Sequence, residues 1–157
     1  MDTSKDVTFV YTAMIGYRPN SLTDVVVGHF LVEYLLDKII STKCKSAKKI
    51  MNYSFSIKLE FLNSMNLLSD DLYKNIKKLN QIRNKIVHTL EINLKDKDMD
   101  FYKSSGQKII INKPKSRDPE KHYLKMLSLG ILTGLRNHMF LELKISPDCA
   151  SQLWLGQ

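Results

Sequence analysis

The feature that most constrains the fold is the spacing of apolar residues between positions 70 and 91. The segment begins at Asp70 and Asp71, two acids suited to the positive end of a helix dipole, and Ser69 before them is an N-cap candidate. The spacing of three or four matches the roughly 3.6 residues per turn of an α-helix. It therefore predicts a helix from residue 70 to residue 91, with one apolar stripe formed by Leu72, Ile76, Leu79, Ile82, Ile86 and Leu90.

A second helix is predicted from Ser21 to Ile40, and it is apolar around most of its circumference. Its polar positions His29, Glu33 and Asp37 lie four residues apart and so share one narrow stripe. A helix this apolar is expected to be buried on several sides, with its polar stripe facing a groove, a partner or solvent. Within the apolar surroundings, His29 is expected to be packed and hydrogen-bonded.

Helices are also predicted at 54–65 and at 118–144, the latter with Pro119 in its first turn. Residues 66–68 interrupt the helical structure before Ser69, and Lys43–Lys49 is predicted to be a basic connector. Residues 1–20 fit either a short helix or a strand, while 96–117 is polar and irregular apart from a possible strand at 108–111. The expected architecture is an all-α, antiparallel helical bundle forming one domain over 1–157, with an irregular basic insertion between the third and fourth long helices.

Composition favours a folded chain that does not span a membrane. The 157 residues are 43% hydrophobic, too apolar for a disordered chain, yet no uncharged apolar run approaches the roughly 20 residues of a membrane helix. The N-terminus lacks the basic-then-apolar order of a secretory signal, and two distant cysteines suggest neither a disulfide scaffold nor a zinc site. We therefore expect a cytoplasmic protein without a membrane partner.

The charge balance bears on the partner. There are 24 Lys and Arg against 16 Asp and Glu, a net charge of +8. Such a surplus favours anionic partners such as nucleic acid. The same surplus also arises in a chain rich in Lys, Asn and Ile, as AT-rich genomes encode, so the two explanations stand side by side.

Three polar residues near the end of the helix predicted at 70–91 have side chains that can take part in catalysis. Arg83 falls about 40° from Leu79, within the apolar stripe, where a guanidinium needs a partner or a wet interface. Asn84 and His88 are one turn apart and share a face. An imidazole can take the proton of a ribose 2′-hydroxyl, and a nearby cation can stabilise the charge on phosphorus. Solvated surface residues give the same pattern, and the chain contains a second such trio at 136–138.

The sequence from Arg83 to His88, RNKIVH, resembles the R-x(4–6)-H signature of the HEPN superfamily, in which Asn, Asp or His often follows the arginine. The wider segment Lys58–His88 is similar to the mannitol-repressor branch of that superfamily, with its break before LLSDDLY and the pattern L..I..IRN. The helix at 21–40 suits the same branch, so the resemblance covers roughly residues 22–91.

The resemblance implies a helical homodimer whose motif helices compose one RNA-binding cleft. Arg83 and His88 would be the catalytic pair and Asn84 would position the phosphate or the pair. The implied protein is a metal-independent endoribonuclease, a toxin or phage-defence effector with RNA as substrate, with no metal or cofactor and with a cognate antitoxin protein as a further partner. The alternative is a non-catalytic transcriptional regulator of the mannitol-repressor kind, or a dimeric interaction module.

Further residues extend this candidate site. Lys77, Gln81 and Lys85 accompany Asn84 and His88 on the third predicted helix and would contact RNA. The insertion adds four cations that would also contact RNA: Lys108, Lys113, Lys115 and Arg117. A solvated loop has the same composition, so this alternative stays open. Glu33 is expected either to lie behind Arg83 as its partner or to pair with a lysine.

Overall fold

The computed structural model describes residues 7–8, 11–12, 21–89 and 119–146, and these ranges are helical apart from short connections. Within the described residues, five helices have defined bounds: α1 (Ser21–Lys43), α2 (Ala47–Met51), α3 (Phe55–Ser64), α4 (Asp70–Thr89) and α5 (Pro119–Leu141). The all-α prediction is confirmed. The predicted irregular insertion at 96–117, with its possible strand at 108–111, lies outside the described residues. No helix in the described part of the chain is long and apolar enough to cross a membrane.

Helix α1 is the centre of the fold because it packs against each of the other four helices. Its apolar residues meet these partners on different sides, as expected from a helix with so little polar surface. Seven of its apolar side chains are at most 1% exposed: Val25, Leu31, Val32, Leu35, Leu36, Ile39 and Ile40. The polar stripe of α1 faces α3 and α4. His29 contacts both of these helices, and Lys58 of α3 pairs with the carboxylates of Glu33 and Asp37.

Helices α1 and α5 are in close contact at Gly28. A Cβ atom built on Gly28 would lie 2.6 Å from Ser128 Oγ and 2.7 Å from Ser128 Cβ, so only glycine fits the crossing as it stands. Ser128 is fully buried there and donates a hydrogen bond to the Asp24 carbonyl at 3.5 Å. The same carbonyl accepts a hydrogen bond from Tyr11 Oη at 3.3 Å. The helices are therefore in near-backbone contact, with the N-terminal segment bound beside them.

The N-terminal segment contributes to the core at this crossing. Val7 and Tyr11 are fully buried, and the four described residues of the segment are helical, which favours the helix over the strand that the sequence also allowed. Burial raises the pKa of the Tyr11 phenol far above its ordinary value, while the Ser128 hydrogen bond lowers it and the Asp24 carboxylate raises it. Tyr11 is therefore neutral.

Helices α3 and α4 form an antiparallel pair. Ser56 near the start of α3 contacts Asn80, whereas Glu60 contacts the earlier α4 residues Tyr73 and Lys77. The predicted break lies between them: Asn66 adopts the left-handed conformation with φ 53°, and the Leu67 N–H donates to the Leu62 carbonyl at 2.9 Å.

The start of α4 follows the prediction as well. The Leu72 N–H donates to Ser69 Oγ at 3.4 Å, which is the predicted N-cap. Three bounds differ from expectation: α1 extends to Lys43, the last helix ends at Leu141 and not at residue 144, and the one-turn helix α2 begins within the segment predicted as a basic connector. Ile50, 8% exposed, attaches α2 to the core, an anchor that a connector of mostly lysines does not reveal.

Candidate functional site

The C-terminal half of α4 carries the predicted catalytic residues. Arg83 is half-buried, and its Nη1 donates a hydrogen bond to Asn84 Oδ1 at 3.0 Å. Within the described residues, the acceptor of this guanidinium is thus the oxygen of a neutral amide and not a carboxylate. A guanidinium carries five N–H donors, so most of its hydrogen-bonding capacity and all of its charge stay available to an anion.

His88 lies apart from Arg83. Its side chain is exposed, and within the described ranges it takes part in no hydrogen bond or ion pair. Five residues along a helix correspond to a rotation of about 140° and a rise of about 7.5 Å. Arg83 and His88 of the same α4 helix therefore point in different directions. Asn84 lies between them, in contact with Arg83 and about 40° from His88. A single copy of the chain therefore brings Arg83 and Asn84 together but leaves His88 separate.

A partly buried polar contact fixes the rotation of α4 about one turn before Arg83. His29 of α1 lies 2.9 Å from Asn80 Oδ1 through its Nε2, and Asn80 Nδ2 donates to Ser56 Oγ at 3.2 Å. Because Asn80 uses its Nδ2 for Ser56, its Oδ1 is the acceptor and His29 Nε2 carries the hydrogen. The imidazole also packs on the Phe55 ring, with 4.0 Å between ring centroids. These contacts join α1, α3 and α4 and set the direction in which Arg83 leaves the helix.

The expectation that His29 is packed and hydrogen-bonded is confirmed: it is 7% exposed. Asn80, in contrast, was missed by sequence reasoning. Its position beside the apolar stripe gave no signal, because the partners that explain it come from two other helices. Burial lowers the pKa of His29, and the nearby Arg83 charge lowers it too, whereas the Asn80 hydrogen bond and the Glu33 charge raise it. The net effect keeps the imidazole neutral at physiological pH.

Lowering the pH should destabilise the protein through His29. The unfolded chain takes up this proton near the ordinary histidine pKa of 6.5, but the folded chain takes it up only at lower pH. The unfolded state therefore binds more protons as the pH falls from about 7 to about 5, and the free energy of unfolding decreases. Urea titrations of wild type and His29→Gln over this range should show the stability advantage of wild type shrinking as the pH falls. A constant difference between the two proteins would contradict this reading.

Glu33 has a different partner from the one that the resemblance suggested. It accepts a hydrogen bond from Lys58 Nζ at 3.0 Å, which is the lysine pairing that sequence reasoning kept as the other possibility, and within the described residues it makes no ion pair with Arg83. Lys58 Nζ also lies 2.9 Å from Asp37 Oδ1 and 3.0 Å from its Oδ2. Lys58 comes from α3, and its register against α1 decides which carboxylate it reaches. Sequence reasoning had no access to that register.

The ammonium of Lys58 is nearly inaccessible, since its side chain is 4% exposed. Burial disfavours the charged form, but the hydrogen bonds from Lys58 to Asp37 and Glu33 outweigh that effect and raise the pKa of the lysine. Lys58 thus stays charged and pairs with both carboxylates on the same side of α1, although its single charge balances only one of them. Within the described residues, neither carboxylate forms an ion pair with the Arg83 guanidinium.

The outer face of α4 is basic, as predicted. Lys77, Gln81 and Lys85 are exposed along it together with His88. Lys77 is partly engaged, because its Nζ donates to Glu60 Oε1 at 3.0 Å and to Tyr73 Oη at 2.7 Å. The four cations predicted in the insertion lie outside the described residues: Lys108, Lys113, Lys115 and Arg117.

The second Arg-Asn-His trio, at 136–138, has a structural role for its histidine. His138 is half-buried, and its Nε2 donates to the Leu67 carbonyl at 3.0 Å. This bond ties the end of α5 to the connection between α3 and α4. The two trios look alike in sequence but differ in the exposure of the imidazole.

Comparison with known proteins gives no relative. No family model, curated protein or solved structure matches this chain. Among the described residues, no group of three His, Cys, Asp or Glu side chains is arranged to hold a metal ion. The interpretation of the site therefore rests on the residues themselves.

Proposed function

We propose that this protein is a metal-independent RNA endonuclease, a toxin or phage-defence effector of the HEPN type that acts in the cytoplasm. The observation that carries the proposal is the half-buried Arg83, held by the neutral amide of Asn84 at 3.0 Å while the nearby carboxylates are paired with Lys58. A positioned cation without a compensating carboxylate is suited to a phosphate, and arginine can engage one through two parallel N–H donors.

The residues support a specific reaction. His88, whose side chain is exposed, would accept the proton of a ribose 2′-hydroxyl as that oxygen attacks the adjacent phosphorus. Arg83 would stabilise the negative charge that develops on the phosphorane, and Asn84 would position Arg83. The bond from phosphorus to the 5′-oxygen breaks, and that oxygen takes a proton from an acid or from water. The products are a 2′,3′-cyclic phosphate and a 5′-hydroxyl.

A homodimer would resolve the separation of Arg83 from His88, because a second copy can supply the residue that one copy directs elsewhere. Large apolar side chains near the site are exposed and suited to such a contact. Val26 and Phe30, which flank His29 in sequence on α1, are 40% and 50% exposed, and Val87 of α4 is 39% exposed. The proposed assembly is a dimer in which these residues meet and two α4 helices compose one cleft. RNA is its substrate, and a toxin of this kind would have a cognate antitoxin protein.

The test is incubation of the purified protein with total RNA in EDTA, beside His88→Ala and the double variant Arg83→Ala/His88→Ala. General acid–base catalysis contributes about 10²–10⁴-fold, so His88→Ala should slow cleavage by at least about 100-fold while leaving the fold intact. His138→Gln is the matched control: it changes the other imidazole, can still donate to the Leu67 carbonyl, and should retain activity. Equal cleavage by wild type and both His88 variants would show that the activity lies elsewhere.

A second function is favoured by one observation, the separation of Arg83 from His88 within a single copy. If no dimer joins them, Arg83 remains an anion-binding group without a catalytic partner. The protein would then be a non-catalytic regulator or interaction module that uses the same surface. Wild type and His88→Ala that bind RNA equally and leave it uncut would support this function over the nuclease.

A further inference from the structure

A second basic surface lies outside the α4 face, at the turn that joins α1 to α2. We refer to residues 43–53 as the lysine strip; its four lysines, all exposed, are Lys43, Lys45, Lys48 and Lys49. Within the described residues none of the four forms an ion pair. Like charges this close repel one another, and this arrangement persists without compensating acids.

The backbone of the strip is held in place, so the lysines are presented in an ordered arrangement. The Cys44 N–H donates to the Ile40 carbonyl at 2.9 Å, and the N–H groups of Lys49 and Ile50 donate to the Ser46 carbonyl at 3.1 and 3.3 Å. Ile50 is buried and attaches the strip to α1. The Ile50 side of α2 is therefore used by the core, and the side left to solvent carries Lys48 and Lys49 together with Met51, which is 37% exposed.

The direction of the strip connects it to the candidate site. The strip begins at the end of α1, where the Cys44 N–H donates a hydrogen bond to the Ile40 carbonyl. It is followed by Phe55, whose ring packs on His29. Along the axis of α1, His29 lies about 16 Å before Ile40, at a rise of 1.5 Å per residue. His29 contacts Asn80 of α4, one turn before Arg83. The lysines thus lie on a path that ends beside the Arg83 region.

An exposed aromatic residue follows the lysines on that path. Tyr53 is 41% exposed, at the end of the strip nearer to His29. Proteins that bind single-stranded nucleic acid combine cations along the backbone with aromatic side chains on which bases stack. An anionic membrane surface also attracts lysines, but a membrane-surface helix needs a whole apolar face directed outward. Helix α2 has one turn, its Ile50 is directed to the core, and Met51 alone among its large apolar side chains is exposed.

We propose that the lysine strip binds single-stranded RNA, with the lysines on the phosphates and Tyr53 under a base, and that it leads the strand to the Arg83 region. The proposal rests on the proposed function, since RNA is the polyanion that this function supplies. It adds a binding surface that neither the Arg-Asn-His trio nor the α4 face contains.

The test is fluorescence anisotropy with a 5′-labelled single-stranded RNA of about 20 nucleotides, longer than the site of a typical single-strand-binding domain. It is done in the His88→Ala background, so that the RNA stays intact. Lys45→Gln/Lys48→Gln/Lys49→Gln should reduce the slope of log affinity against log salt by about 0.7 for each lysine that contacts a phosphate. Tyr53→Ala should weaken binding by about 5- to 160-fold, the range for loss of one base–aromatic stack.

Two controls complete the design. Lys144→Asn removes one exposed lysine beyond the end of α5, at a left-handed position that asparagine accepts, and it should leave the affinity nearly unchanged. Circular dichroism of the variants should match that of wild type, because the substituted side chains are exposed.

The outcomes separate the strip from the nuclease. RNA binding that weakens in the strip variants supports the strip even if wild type cuts nothing, in which case only the proposed function fails. Unchanged affinity and salt slope in the strip variants overturn the strip even if wild type cleaves RNA. Absence of RNA binding at low salt, or binding to phosphatidylserine vesicles in preference to RNA, also overturns it.

Discussion

Lys58→Met should lower the free energy of unfolding by about 3 kcal/mol, the lower end of the range for removing one partner of a buried ion pair. Methionine keeps the length of the side chain but leaves Glu33 and Asp37 without their cation. The side chains of these carboxylates are 34% and 23% exposed, so water compensates part of the loss, and this places the expected effect at the lower end. Urea denaturation at neutral pH measures it.

The controls distinguish charge from packing. The triple variant Lys58→Met/Glu33→Gln/Asp37→Asn removes all three charges together and should recover most of the loss, since neutral replacements of a buried ion network are often tolerated. Lys77→Met breaks the ion pair with Glu60, in which both side chains are about half exposed, and should have a much smaller effect. Equal losses for Lys58→Met and Lys77→Met, or no recovery in the triple variant, would show that the buried network is not what stabilises this side of α1.

Gly28→Ala should also destabilise the fold, although alanine is the better helix former by about 1 kcal/mol. The new methyl group would lie 2.6–2.7 Å from the Ser128 side chain, so α1 and α5 must separate. Overpacking of this kind typically costs about 1–3 kcal/mol, which exceeds the propensity gain over most of that range. The midpoint of thermal unfolding should fall, and Gly28→Val should lower it further.

A compensating substitution identifies the cause. Ser128→Gly removes both atoms that the new methyl group would meet, so Gly28→Ala/Ser128→Gly should be more stable than expected from the sum of its single variants. Ser128→Ala is the matched control: it removes Oγ but leaves Cβ at 2.7 Å, and it should therefore give little rescue. Equal rescue by both second substitutions would locate the strain at the hydroxyl alone.

The helices could be predicted from the sequence because their signals are local. Apolar spacing identified α4, Ser69 marked its start, and Pro119 marked the start of α5. Helix α2 was missed because its buried anchor is the single residue Ile50 among lysines. The close approach at Gly28 was also not predictable, since it depends on Ser128, which lies 100 residues later in the sequence.

In the candidate site, too, local features could be predicted from the sequence, whereas contacts between helices could not. That Arg83 needs a partner followed from its place on the apolar stripe, but that its partner is the neighbouring Asn84 required the rotation of α4 against α1. The pairing of Glu33 with Lys58 required the register of α3, which no pattern within α1 or α3 contains. The rotation of about 140° between Arg83 and His88 follows from helix geometry alone. It makes the second copy of the chain the central question for function.

The central position of α1 has a consequence for synthesis of the protein. Its surface at Asp24 and Gly28 is covered by α5, and the hydrogen bond between the Asp24 carbonyl and Ser128 spans 104 residues of sequence. At about 5–20 residues per second, a ribosome takes about 5–20 s to make that stretch. For most of this interval α1, the most apolar of the long helices in the described ranges, is complete while one of its sides has no cover. Newly made chains should therefore depend on chaperones, or aggregate, mainly before α5 emerges.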